Sequence, residues 1–198
     1  MADADFIYVS DTDLAALGIT PMEVVGAIEK AVLQKAHAQL WAAPKVSLLP
    51  GDGRYMMATL AVSDDPPVIA LKSVMVAPGN KTRVLPGTNG AIMLQDSDTG
   101  QLVCVMGANW VTAVRTAGLS AVMAKRLANP KAQSIAFIGA GVQARSHLEA
   151  FTALFPLSQL RIFGRGQENV DLLTTACQRS ARYLSMIRCR KRLWKCQW

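Results

Sequence analysis

The chain is poor in aromatic residues, at 6%, and has only two histidines. Its four cysteines, at 104, 177, 189 and 196, include no CxxC pair. So few possible ligands make neither a disulfide scaffold nor a zinc site, and no metal is expected. No run of about 18 uncharged apolar residues occurs, which excludes a membrane-spanning helix. The opening MADADF is acidic and lacks a basic-then-apolar leader. Export is therefore not expected, and the expected compartment is a reducing cytoplasm.

Charge is unevenly distributed along the chain. Residues 179–198, RSARYLSMIRCRKRLWKCQW, hold seven Lys/Arg and no acid, while residues 1–178 hold 14 Lys/Arg and 14 Asp/Glu. The formal charge of +7 thus belongs to the last tenth of the chain. The neutral remainder gives no reason to expect a nucleic-acid or membrane partner. Read by itself, the tail is alternatively a patch for an anionic surface, with Trp194 and Trp198 as anchors. What the chain does have is apolar material: 51% of 198 residues is enough to bury a sizeable core and excludes disorder for the bulk.

Thr20-Pro21-Met22-Glu23 is a capping box with proline at the first helical position. Val24, Val25, Ile28, Val32, Ala36 and Leu40 then recur at three- and four-residue steps, predicting one long helix with His37 near its C-terminal end. There His37 reads as a packing or dipole-stabilising residue. Short strands are predicted at 45–49, 55–62, 68–76, 91–96 and 102–106, with a tight turn at Asp96-Ser97-Asp98-Thr99-Gly100. The helical period returns from Val111 to Ala128 and stops at Asn129-Pro130. A domain boundary is placed there.

Ser134–Ile138 reads as a buried strand that runs into Gly139-Ala140-Gly141-Val142-Gln143-Ala144, then a helix to about Phe155 and a strand at 160–163. Strand, GxGxxA turn, helix and parallel strand open a dinucleotide-binding domain. Gly139 permits the tight turn, Gly141 lets backbone approach a pyrophosphate, and Ala144 lets helix and strand pack closely. The N–H groups of the helix start, with Val142 and Gln143, face the phosphate charge. The second strand ends in Phe163-Gly164-Arg165-Gly166-Gln167, with no carboxylate where a ribose diol finds its acceptor about 20 residues after the first glycine. Arg165 suits a 2′-phosphate instead, so NADP(H) is favoured over NAD(H).

Arg115-Thr116-Ala117, the IGAGVQARSHLEAF segment at 138–151 and the Pro78/Asn80, Leu85-Pro86, Gly90 stretch together resemble the ornithine cyclodeaminase/mu-crystallin family, over about residues 6–178. The resemblance implies an α/β protein, with an N-terminal α+β substrate-binding and dimerisation domain (1–130) followed by the start of a Rossmann domain (131–178), which is incomplete. It also implies a homodimer. Its members include cyclodeaminases acting on ornithine or lysine, ketimine and pyrroline-2-carboxylate reductases, and alanine and arginine dehydrogenases. Their shared chemistry is hydride transfer at a carbon bearing an amine or imine beside a carboxylate.

The family's carboxylate clamp maps onto Arg115, Lys72 and Lys45. Arg115 lies early in its helix, where the dipole also favours an anion. Lys72 interrupts an apolar strand and must snorkel, pair with an anion or shift its pKa; it is the candidate catalytic residue as well as a substrate ligand. Lys45 stands where arginine is frequent. Thr112 and Thr116 are candidates for hydrogen bonds to substrate or cofactor, and equally for back-bonding to their own helix. Gln143 is placed beside the pyrophosphate, and His147 reads as a packed or surface histidine.

Tyr55-Met56-Met57 stands where ornithine-specific members carry an acidic residue. A small or cyclic imino acid is therefore the expected substrate, with ornithine cyclodeamination and non-catalytic NADPH binding as alternatives. Family chains exceed 300 residues and take a catalytic aspartate from a later strand. Residues 179–198 accordingly read as an atypical basic tail, from frameshift or truncation, and a chain with two Rossmann strands is expected to turn over little.

Overall fold

A computed structural model describes residues 5–164, 166–179 and 185–188. The chain divides into two compact units: Met1–Ile19 with Glu29–Thr112, and Thr20–Ile28 with Ala113–Trp198. Besides the break at 19/20, the divisions fall between residues 28 and 29 and between residues 112 and 113.

The chain opens with β1 (Ile7–Val9) and a short α1 (Asp11–Ala16), capped reciprocally by Ser10 and Asp13. Helix α2 (Pro21–Ala36) follows. Its capping box forms as predicted: the Thr20 N–H donates to Glu23 Oε2 at 2.8 Å, and the Glu23 N–H to Thr20 Oγ1 at 3.2 Å. The helix stops earlier than its apolar stripe. Ala38 turns left-handed at φ 56°, and the N–H groups of Ala38 and Gln39 close back onto Lys35 O and Gln34 O. That is a Schellman stop, with alanine at the position glycine usually takes. Leu40 therefore belongs not to the helix but to β2 (Leu40–Ala42).

Strands β3 (Val46–Leu48), β4 (Tyr55–Asp64), β5 (Pro67–Val76), β6 (Thr88–Asp96) and β7 (Leu102–Gly107) complete a seven-stranded sheet, in the order β1-β7-β6-β5-β4-β2 with β3 also on β4. All pairings are antiparallel except β1 with β7. A 3-10 helix (Pro78–Arg83) links β5 to β6. One face buries Val74, Ile92 and Ala108, with Met57, Leu94, Met106 and Val111 around them.

Two glycines are required here by contact. A Cβ on Gly90 would lie 2.2 Å from Ser73 O, and one on Gly107 would lie 2.6 Å from the Asp11 side chain. Asp11 needs that space because its Oδ1 accepts the backbone N–H of Trp110 at 2.8 Å. A carboxylate from α1 thus caps the start of α3 (Asn109–Leu127), across 99 positions of chain.

In the second unit, β8 (Ser134–Ile138), α4 (Val142–Leu154), β9 (Gln159–Phe163), α5 (Gln167–Arg179) and β10 (Ser185–Arg188) alternate, and the three strands pair in parallel as β10-β9-β8. This is the first half of a doubly wound fold, in the 3-2-1 order of a mononucleotide-binding half. The two strands expected from sequence are joined by a third, drawn from the basic tail. Leu148, Leu160 and Leu173 are almost fully buried between sheet and helices. A second cluster sets Val25 of α2 against Ala117, Ala121 and Val122 of α3 and Ala150 of α4. Gly118 permits that approach, since a Cβ there would meet Val24 and Ile28 at 2.7 Å.

Candidate functional site

In the first unit the chemistry gathers on the buried face of the large sheet. Lys72 sits in the middle of β5, paired with Thr59 on one side and Ile92 on the other. Alternation puts it on the face of Val74 and Ile92. Its Nζ donates to Thr112 Oγ1 at 3.1 Å, so the lysine that interrupts an apolar strand is half-buried and held toward the first turn of α3. This contact between Thr112 and the Lys72 ammonium is neither of the two expected from sequence.

Lys45, just before β3, places its Nζ 5.8 Å from the centroid of the Tyr55 ring. Hydrogen bonding with Lys45, helped by the same lysine's charge and by Ser47, holds the Tyr55 phenol below its usual pKa against a smaller opposing effect of burial. Sequence reasoning saw Tyr55 only as a missing carboxylate. Its link to Lys45 depends on β3 folding back beside β4, which no local pattern announces.

In the second unit the GxGxxA segment takes the form its residues predict. Gly139 has φ 105°, and its N–H donates to Phe163 O at 2.7 Å, tying the turn to the end of β9. Gly141 is the N-cap of α4 and offers no side-chain cap. Nothing lies within 4 Å of where a Cβ on Gly139 or Gly141 would stand. The helix start, with exposed Val142 and Gln143, is open to a ligand. Ala144 is half-buried against the Leu148–Leu160 cluster and brings α4 onto the sheet. Gly164 allows a second close approach, with Val170 at 2.7 Å and Ala140 at 3.3 Å from its would-be Cβ. An uncapped helix N-terminus behind a glycine turn fits a pyrophosphate on geometry and dipole alike.

Arg115 lies in the second turn of α3, exposed, and its side chain makes no hydrogen bond or ion pair with a described residue. Thr116 beside it is half-buried. Arg165 lies outside the described residues. His147 is half-buried on α4, with Nδ1 2.7 Å from Gln143 O and Nε2 2.9 Å from Ser120 Oγ. Burial raises the thiol pKa of Cys104 and of Cys177, so neither is a nucleophile at neutral pH. Among the described residues no group of three His, Cys, Asp or Glu is placed to hold a metal, and no helix is long and apolar enough to cross a membrane.

The model of one protein family, described as ornithine cyclodeaminase/mu-crystallin, matches residues 12–189. The chain belongs to the ornithine cyclodeaminase/mu-crystallin family. The match runs eleven residues past Gln178, where the motifs alone suggested an end, and it takes in β10. The rat ketimine reductase mu-crystallin is 32% identical over 132 residues, which is 67% of this chain and 42% of the rat protein. A Bacillus cereus Δ1-pyrroline-2-carboxylate reductase is 30% identical over 74% of this chain and 46% of its own length. The solved Δ1-pyrroline-2-carboxylate reductase of Thermococcus litoralis, in complex with NADH and L-proline, superposes with a TM-score of 0.87 at 24% identity. That likeness covers 92% of this chain and 57% of the other, and it shows the shared fold. The chain spans about half the length of these family relatives.

Proposed function

We propose that the chain carries the substrate-binding and dinucleotide-binding parts of an NADP(H)-dependent imino-acid reductase acting on a ketimine or pyrroline-2-carboxylate type of substrate. The observation that carries the reading is the uncapped α4 N-terminus at Gly141, with open space in front of the glycine turn. Residues 1–130 serve substrate binding and dimerisation, and the dinucleotide domain begins at 131.

When bound, the reduced nicotinamide supplies a hydride to the imine carbon. This chain's own residues bind and orient. Lys45, Lys72 and Arg115 take the substrate carboxylate, Arg115 with a planar fork and the lysines as point charges. Lys72 is the one we assign to catalysis, because its ammonium also bears on the charge of the reacting imino acid. Backbone N–H groups of Val142 and Gln143 take the pyrophosphate, with Gly139, Gly141 and Ala144 shaping the turn and Thr112 and Thr116 contributing hydroxyls. Arg165 takes the 2′-phosphate, which is the basis for NADP(H) over NAD(H).

The imino-acid reading is preferred over ornithine cyclodeamination because β4 offers no carboxylate before Asp64. Met57 lies in the apolar cluster and Tyr55 is engaged with Lys45, so neither receives a distal ammonium. A homodimer in the cytoplasm completes the proposal. Trp41, Val46, Leu48 and Leu60 on β2, β3 and β4 are about half exposed or more, and a second copy would cover them.

The test is titration of the 198-residue chain with NADPH and NADH, followed by nicotinamide fluorescence, beside Gly141→Val. The expected result is tighter binding of NADPH, lost in the variant with little change in thermal stability, since the added side chain enters open space. A chain that melts cooperatively yet binds neither nucleotide overturns the reading. Pyrroline-2-carboxylate is then added, and Lys72→Met is expected to weaken its effect on the nicotinamide signal at least tenfold.

A further inference from the structure

Helices α3 and α4 pack through an apolar cluster, in which Ala117, Ala121 and Val122 meet Ala150 and half-buried Phe151. Apolar packing is non-directional and by itself leaves helix rotation loosely specified. One polar bridge crosses the same interface. A carbonyl oxygen only accepts, so the 2.7 Å contact between His147 Nδ1 and Gln143 O assigns the ring proton to Nδ1. In the tautomer with its proton on Nδ1, Nε2 accepts the Ser120 hydroxyl proton at 2.9 Å. Phe151 meets the ring edge-on, its centroid 5.8 Å away at 66°, so the imidazole is fixed on three sides.

The two anchors of this bridge are not arbitrary points. Gln143 is the second residue of α4, in the turn that faces the pyrophosphate. Its carbonyl belongs to the same peptide group as the Ala144 N–H, so the imidazole bond bears directly on the geometry of that turn. Ser120 lies one helical turn beyond Thr116 and on the same face of α3.

We infer that Ser120 and His147 form a positioning pair that sets the register of α4 against α3, and with it the aim of the α4 N-terminus at the dinucleotide phosphates. The inference rests on the dinucleotide-binding reading. His147 touches neither substrate nor cofactor in this role. It acts through Gln143 on one side and Ser120 on the other.

The test uses the full chain and NADPH as the probe, with Ser120→Ala, His147→Phe, the double variant and His147→Gln. Phenylalanine keeps the ring and loses both bonds, while glutamine reaches the Ser120 hydroxyl as Nε2 does. Each of the first two is expected to weaken NADPH binding about threefold to tenfold, the worth of one neutral hydrogen bond. The double variant is expected to be no weaker than the worse single one, as for two ends of one interaction. His147→Gln is expected to recover at least half of the affinity, with melting temperatures of Ser120→Ala and His147→Gln close to wild type.

Unchanged affinity in Ser120→Ala and His147→Phe overturns the inference while leaving the binding reading intact. Affinity losses that add, or that simply follow the melting temperature, also overturn it, because they mark a purely structural contact. Absence of NADPH binding by the wild-type chain overturns both.

Discussion

Gly90→Ala is the substitution that the fold forbids most directly. A Cβ at this position would stand 2.2 Å from Ser73 O and 2.9 Å from both Val74 Cα and Val74 Cγ2. An ordinary C···O approach is about 3.3 Å, so roughly 1 Å must be found. Two of the three obstacles are backbone atoms and cannot rotate away. The space has to come from separating β5 and β6, whose normal spacing is about 4.8 Å. Moving β6 off β5 by that much stretches the ladder hydrogen bonds on either side of the Val74–Gly90 pair out of range. It also strains the 3.0 Å bond from the Ala108 N–H to Gly90 O. Two weakened backbone bonds at about 1 kcal/mol each, and an overpacking cost of about 1–3 kcal/mol, give a loss of about 3–5 kcal/mol.

Urea unfolding of the full chain measures this, with Gly26→Ala as the control. Gly26 lies inside α2 and has nothing within 4 Å of its would-be Cβ, so alanine there is expected to stabilise by about 0.5–1 kcal/mol. The two alanines should therefore shift the transition in opposite directions. The loss should also reach the site, because Val74 is two residues from Lys72, and Ala108 leads into α3 one turn before Thr112. A Gly90→Ala chain within about 1 kcal/mol of wild type would refute the reasoning.

Three further outcomes follow from the same structure. Ala38→Gly is expected to stabilise by about 1 kcal/mol in the same unfolding assay, since Ala38 holds a left-handed conformation at the Schellman stop that glycine takes without strain. Asp11→Ala removes the long-range cap on the Trp110 N–H and is expected to cost about 1 kcal/mol, with Asp11→Asn losing less because the amide oxygen still accepts. Glu23 has its carboxyl pKa held below the usual value by its hydrogen bonds with the Thr20 hydroxyl and then the Thr20 backbone N–H. A folded pKa below the unfolded one means stability present above the ordinary carboxylate range and lost as pH falls through the folded value. Melting curves from pH 7 to pH 3 should show wild type losing its advantage over Glu23→Gln toward the acid end; a gap that widens there would contradict the sign.

Elements with a period long enough to count were legible in the residues: α2 from its capping box, β4 through β7 from short apolar runs between turn residues, and β8, α4 and β9 around the glycine turn. What escaped was short or non-local. β1 and β2 have three residues each, too few for an alternation to register. β1 finds its partner in β7 some 97 positions away, Ile7 against Cys104. The end of α2 escaped because the apolar stripe continues to Leu40, whereas the stop is made by the backbone of Ala38 and Gln39, with no glycine to mark it. β10 escaped for a different reason. An unusual composition describes charge and solvent preference, but a parallel ladder is made by backbone groups that every residue except proline carries. Ser185–Arg188 pairs with Gln159–Ile162 regardless of the basic residues around it.

The candidate site divides along the same line between local and non-local signals. The glycine turn was readable because its requirements are local: a positive φ at Gly139 and no side chain at Gly141 are properties of the residues themselves. Lys72 was readable as an anomaly, since a charge inside an apolar strand needs a partner. The identity of that partner was not, because Thr112 lies 40 positions away and reaches Lys72 only once the first turn of α3 is held by Asp11 and by the Ala108 bond to Gly90. The same holds for His147. Residue type alone leaves a histidine on a helix as a packed or surface group, and only the pairing of α3 with α4 brings Ser120 to its Nε2. A local motif thus says what a ligand would meet, and the long-range contacts decide how firmly that meeting point is held. It follows that substitutions at Gly141 should act on affinity with little effect on folding, that those at Gly90 and Asp11 should act first on folding, and that Ser120 and His147 should stand between.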